Sequence, residues 1–187
     1  VKVIRPVETE TSRFQVGDVL PFTLVDGALV QALAVKEERD GMLFVTVDCT
    51  GIESMVCSPG EQDGGYERSL LRRRLNCELL ERFPPEIRAQ MVPLSNGDWL
   101  RLPTVGELFG RSAAAEEADL GSGQWEPMRL CRNRVCFLGR DGISMCYWLA
   151  DPVDGDGKFY SGVDYMGNAM HIAAIGTYGV RPVFKLK

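Results

Sequence analysis

Along the first fifty residues, apolar positions come in short runs rich in β-branched side chains, separated by turn signals. Val19 to Leu24 leads into Asp26-Gly27, Ala28 to Val35 leads into the charged stretch Lys36 to Gly41, and Met42 to Asp48 follows. Runs of this length with hairpin-type dipeptides between them predict two consecutive antiparallel hairpins. The next segment, Cys57 to Gly65, is dense in Gly, Pro, Asp and Ser and reads as a loop.

From Tyr66 to Phe83 the spacing changes. Leu70, Leu71, Leu75, Leu79 and Leu80 recur at three, four or five, with Arg72, Arg73, Arg74, Glu78 and Glu81 at other angles, which predicts an amphipathic helix ended by Pro84-Pro85. The arginine trio reads as a solvated face with glutamate partners rather than an anion site. A second short helix is expected from Pro85 to Met91, with proline in the first turn where its missing N–H costs nothing. Asn96-Gly97 marks a turn before an extended Trp99 to Leu102, and Thr104 followed by Glu107 has capping-box spacing, predicting a helix that stops by Gly110.

Residues 111–124 are small, acidic and glycine-rich without an apolar period and read as a surface insertion. Arg134 to Leu138 and Gly142 to Leu149 read as two strands, Asp151 to Thr177 as loop, and Val180 to Leu186 as a closing strand that pairs with an early one. The expected architecture is one α+β domain over 1–187. It has antiparallel strands in 1–56, about two main helices in 66–110, and C-terminal strands with long loops in 132–187.

The chain of 187 residues, 45% hydrophobic and 25% charged, has the balance of an ordinary globular protein. Its formal charge of −5 and pI near 5.0 argue against nucleic-acid binding driven by bulk charge. No run approaches the roughly 18 apolar residues of a membrane span, and the first residues lack the apolar core of a signal peptide. The expected location is the bacterial cytoplasm or a phage particle. Six cysteines without a CxxC pair are expected to be free thiols, and the single histidine, His171, excludes any mechanism that needs two imidazoles in one chain.

Three constellations invite a chemical reading. Asp151, Asp154 and Asp156 with two glycines suggest calcium, but Val163 stands where a calcium loop needs its bidentate glutamate, so a solvated turn is expected and no metal is assigned. Cys131 and Cys136, spaced C-x4-C, would hold copper(I) if their sulfurs converged. Ser161 or Cys146 with His171 supplies nucleophile and base types, but no nucleophile-elbow sequence surrounds them. No cofactor is expected. A different signal lies in 159–178, where aromatic residues and methionines are interleaved with Gly, Ser, Asn and Thr. Binding loops use that mixture, because aromatics give contact area at low entropic cost and small polar residues adapt their hydrogen bonds.

Tyr147-Trp148-Leu149, followed some thirty residues later by Gly179-Val180-Arg181-Pro182-Val183-Phe184, resembles a domain family of unknown function common in gut bacteria and their prophages. The likeness extends through Phe14 to Asp18, Asp63 to Tyr66, Leu71 to Asn76, Arg82 to Pro84, Leu102 to Thr104, Phe109-Gly110, Glu126 to Met128 and Arg132 to Arg134. It implies a C-type-lectin-like fold, the scaffold of formylglycine-generating enzymes and of the variable proteins of diversity-generating retroelements. By that resemblance the chain is a non-enzymatic receptor-recognition protein. Its diversified surface would be drawn from Tyr160, Ser161, Asp164, Tyr165, Met166, Asn168, Met170, His171, Ile172, Ile175, Thr177 and Tyr178. Trp148 and Arg181 would be scaffold, and the partner a protein or cell-surface ligand. Calcium-dependent sugar binding is not implied, since the EPN and WND motifs are absent. The alternatives are a copper-dependent oxidase using Cys131 and Cys136, or a structural prophage module. The oligomeric state is left open.

Overall fold

Two antiparallel-rich sheets share two apolar clusters in the computed structural model of the chain, which describes residues 13–56, 65–110, 123–139, 142–153 and 157–187. The first sheet has the order β1 (Val19–Thr23), β2 (Leu29–Glu38), β3 (Gly41–Thr46), β11 (Val183–Leu186). The second has the order β4 (Gly51–Ser54), β10 (Thr177–Val180), β7 (Tyr147–Pro152), β8 (Phe159–Val163), β9 (Ala169–Ala173), with β10 and β7 parallel. A small ribbon joins β5 (Phe137–Leu138) to β6 (Ile143–Ser144). The fold is mixed α+β, and the expected closing strand pairs with β3, Phe184 opposite Phe44.

Strand alternation explains how both faces are filled. On β3, Met42 and Phe44 enter one cluster while Leu43 and Val45 enter the other; on β7, Trp148 goes to the first and Tyr147 and Leu149 to the second. Sheets covered on both faces read as continuous apolar runs, which is the pattern of these segments. Phe22, Phe44, Phe83 and Phe184 pack together in the first cluster, Phe44 stacked on Phe184 and the others edge-on or tilted, with ring centroids 5.3–6.1 Å apart.

The helical part sits where its leucines predict. Helix α1 (Leu70–Arg74) is capped by the Ser69 side chain, passes through a π turn at Leu75–Leu79, and continues as α2 (Leu80–Arg82) up to Pro84. Asn76 in that turn donates to the carbonyls of Arg72 and Leu100 and accepts from Trp99 and Leu100 N–H, so its amide stands in for a strand partner of 99–100. Arg72 pairs with Asp98 and Arg74 with Glu53, whereas Arg73 is solvated. Helix α3 (Pro85–Arg88) follows, and α4 (Val105–Phe109) has the complete capping box and ends at left-handed Gly110.

Several expectations are corrected. Strand β2 continues through Lys36 to Glu38, so the turn into β3 is shorter than the charge pattern suggested. Trp99 to Leu102 contributes only a single bridge, Arg101 to Val183. The segment 151–177 is not mainly loop, because β8 and β9 form a hairpin within it. The cysteines are not all free: Cys49 and Cys136 are joined by a disulfide, while Cys77, Cys131 and Cys146 are free. The loop at 57–64, most of the insertion at 111–124, and Asp154 and Asp156 lie outside the described residues. Among the described residues no helix is long and apolar enough to cross a membrane, and no group of metal-ligating side chains converges.

Candidate functional site

The candidate surface is built on the β8–β9 hairpin. Its tip is a three-residue turn closed by Asp164 N–H to Asn168 O (2.8 Å) and Gly167 N–H to Asp164 O (3.0 Å), with Gly167 at φ +85°. The same turn occurs at Leu24–Ala28 and Leu94–Asp98, with Gly27 and Gly97 at φ +86° and +84°. A type I turn followed by a left-handed residue accepts glycine at that last position without strain.

The tip is tied down from both sides. The Asp164 carboxylate accepts the N–H groups of Met166 and Asn168, both at 2.8 Å, and the Asn168 amide. Partial burial pushes the Asp164 carboxyl up, but these hydrogen bonds outweigh it and hold the group below the usual carboxylate range. From below, Arg134 donates to Gly167 O at 3.0 Å and to Met128 O at 2.5 Å and lies over the Phe109 ring. The Cys131 thiol donates to Met166 O.

This support continues into the core. Tyr147, whose hydroxyl burial pushes to a raised pKa, donates to Arg134 O and accepts from the Arg181 guanidinium at 3.1 Å. Arg181 also donates to Thr46 O and stacks on the Tyr147 ring. Trp148 is fully buried and donates to Glu53 O at 2.7 Å. Trp148 thus fills the first cluster from β7, next to the hairpin in the same sheet, while Arg181 packs against Tyr147 on the opposite face of that strand.

The expected surface residues divide. Tyr160 and Ile172 face each other across the hairpin in the first cluster, 1% and 2% exposed, and Ser161 is also buried. These three are core and are withdrawn from the ligand surface. Tyr160 and Ile172 point inward because every second position of the hairpin does, whereas Ser161 is buried on the opposite face, paired with His171; Gly162 must stay small on the inward face, since a Cβ would meet Ile172 Cδ1 at 2.6 Å. Met170 and Tyr178 are half-buried, with Tyr178 edge-on to Trp148 at 5.0 Å. Asp164 serves the turn, and Thr177 shares a hydrogen bond with Ser54. Tyr165 (56%), Met166 (56%) and Ile175 (55%) are exposed, as are Asn168 and His171. Phe159, which opens the aromatic-rich segment but is not among the expected surface residues, is exposed on the His171 face opposite Ala173, and Leu130, which sequence reasoning missed, is exposed beside Cys131. Neither carries a local signal, because outward placement follows from register rather than residue type.

The thiol pair required by a copper site does not assemble. Cys136 is buried and bonded to Cys49, whereas Cys131 is exposed on a separate turn and faces the hairpin tip. No family model, curated protein or solved structure matches this chain.

Proposed function

We propose that this chain is a non-enzymatic ligand-binding protein that presents Tyr165, Met166, Asn168, His171 and Ile175 on the β8–β9 hairpin. One observation carries the reading: large apolar side chains stand in solvent on a backbone whose every turn contact is fixed by Asp164, Arg134 and Cys131. Exposed aromatic and methionine side chains are costly to leave in water and useful at interfaces. A rigid frame lowers the entropic cost of binding through them.

The sequence resemblance to C-type-lectin-fold variable proteins of diversity-generating retroelements fits this arrangement. The hairpin precedes the Gly179 to Phe184 segment, which spans the end of β10 and the start of β11, and β11 pairs with the early strand β3. The ligand is a protein or cell-surface molecule. The Cys49–Cys136 disulfide favours display in an oxidising setting, such as a cell surface or a released particle, over the reducing cytoplasm.

The test is a library randomised at Tyr165, Met166, Asn168, His171 and Ile175 and selected against one purified protein. Folded members that bind it, with thermal midpoints near the parent, support the reading. A library that mostly fails to fold overturns it in favour of a hairpin that only packs. A near-copy of the 3′ end of the gene beside a reverse-transcriptase gene, differing at adenines, tests the retroelement part; its absence removes that part alone.

A further inference from the structure

The two sheets have four outer edges; among the described residues two are covered and one, that of β1, is blunted by a proline. On β1 the pairing of Leu24 with Ala28 sets the alternation, so Val19, Pro21 and Thr23 turn their main chain outward, and Pro21 has no N–H to offer there. The edge of β11 is occupied by 90–101: Val92 donates to Lys185 O, Lys187 to Gln90 O, and Arg101 exchanges two bonds with Val183. At β4, helix α1 closes over the strand, with Leu71 N–H on Met55 O and Arg74 on Glu53.

Among the described residues the edge of β9 is open. Asp164 N–H to Asn168 O and Ala174 N–H to Lys158 O fix the register, so Met170 and Ile172 bond to β8 while Ala169, His171 and Ala173 point outward. Of their main-chain groups, only Ala173 O has a partner among the described residues, Gly176 N–H. The strand Ala169–Ala173 contains no proline, lysine or carboxylate, the devices that ordinarily blunt an edge.

We infer that β9 pairs antiparallel with β9 of a second copy about a two-fold axis through His171. A residue whose N–H and C=O both point outward is self-complementary in such a pair, and Ala169 then meets Ala173 of the other copy. No charged side chain opposes its like. The exposed apolar residues support the same axis, because Met166 and Ile175 lie at opposite ends of the edge, five and four residues from His171. Antiparallel pairing brings the Tyr165–Met166 tip of one copy beside Ile175 of the other, so each ligand surface is completed by its partner; this last point rests on the reading proposed above. A five-residue edge predicts a small, reversible interface rather than an obligate one.

Sedimentation and light scattering without any ligand test the pairing. At hundreds of micromolar the expected mass is twice 20.7 kDa, with concentration-dependent protection of the Ala169, His171 and Ala173 amides from hydrogen exchange. His171→Pro removes an outward N–H that makes no bond among the described residues, so it keeps the fold, checked by circular dichroism, and loses the dimer. His171→Asp and His171→Lys each weaken self-association about fivefold or more, and their equimolar mixture restores it as a heterodimer. A wild-type chain that stays monomeric, or a dimer that survives His171→Pro, overturns the inference. Because no ligand is used, a monomeric result leaves the hairpin library as the separate judge of the binding surface.

Discussion

Arg134 and Gly167, thirty-three residues apart, are joined by one hydrogen bond from the guanidinium Nε to the glycine carbonyl at 3.0 Å. Through it the exposed hairpin tip is coupled to Met128, Phe109 and, by way of Tyr147, to Arg181 in the core. Replacing Arg134 with Ala removes these donors together. The expected loss is about 1–3 kcal/mol of stability, with faster amide exchange at Met166 to Asn168. Lysine at this position does not restore protection, since it lacks the planar fork that reaches two carbonyls. Unchanged exchange at the tip would show that the turn holds itself.

Gly167 and Gly27 allow docking to be separated from backbone strain. Both adopt nearly the same φ, but a Cβ on Gly27 meets nothing within 4 Å, whereas one on Gly167 meets Cys131 O at 3.0 Å and its sulfur at 3.1 Å. Gly27→Ala therefore costs the left-handed penalty of roughly 1–2 kcal/mol, and Gly167→Ala costs that plus displacement of the tip. Urea titrations of the two variants measure the difference; equal losses would mean the tip rests only loosely on Cys131.

The Cys49–Cys136 bond closes a long loop, with 87 residues of separation. Peptide mapping under non-reducing conditions is expected to recover the linked pair. Replacing both cysteines with serine should lower stability by about 2–4 kcal/mol. Recovery of unlinked peptides from protein kept in oxidising medium contradicts the pairing.

Acid acts on the tip with a definite sign. The Asp164 carboxyl is held below its ordinary value by the hydrogen bonds it accepts. Its contribution is thus complete above the unfolded value of about 3.9 and is lost as pH falls through the lower folded value. Asp151 behaves oppositely. Burial raises it despite the 2.7 Å bond from Val105 N–H, so it favours the folded state in acid, and that advantage is lost as pH rises through its folded value. Asp151→Asn keeps an acceptor for Val105 and should be neutral or slightly stabilising at pH 7, whereas Asp164→Asn should steepen nothing in acid and loosen the tip at neutral pH. Hydrogen exchange at the two sites between pH 3 and 7 distinguishes them.

The elements legible in the sequence were those whose signals are local. Asp26-Gly27 and Asn96-Gly97 sit in the turns they predict, Thr104 and Glu107 form their capping box, and Pro84 ends the long helical run. The β8–β9 hairpin was not legible, although it alternates. Gly162 occupies an inward position and Phe159 an outward one, which inverts the usual contrast of apolar inside and polar outside. Its turn was obscured because Met166 precedes the glycine where the other two turns have Asp or Asn, the Asx hydrogen bonds coming instead from Asp164. The disulfide and the open β9 edge depend on tertiary register, which single-sequence spacing does not carry.

Strand β3 must wait for β11. During synthesis Met42 to Val45 leaves the ribosome with one flank unpaired, and Val183 to Leu186, which satisfies it, emerges only after the hairpin. Pairings so distant in sequence are slow to form and leave sticky intermediates exposed. A hairpin sequence that cannot fold would hold the last strand away from its place and leave that flank open to proteases and chaperones. Completion of the first sheet thus depends on the folding of the β8–β9 hairpin that precedes its last strand.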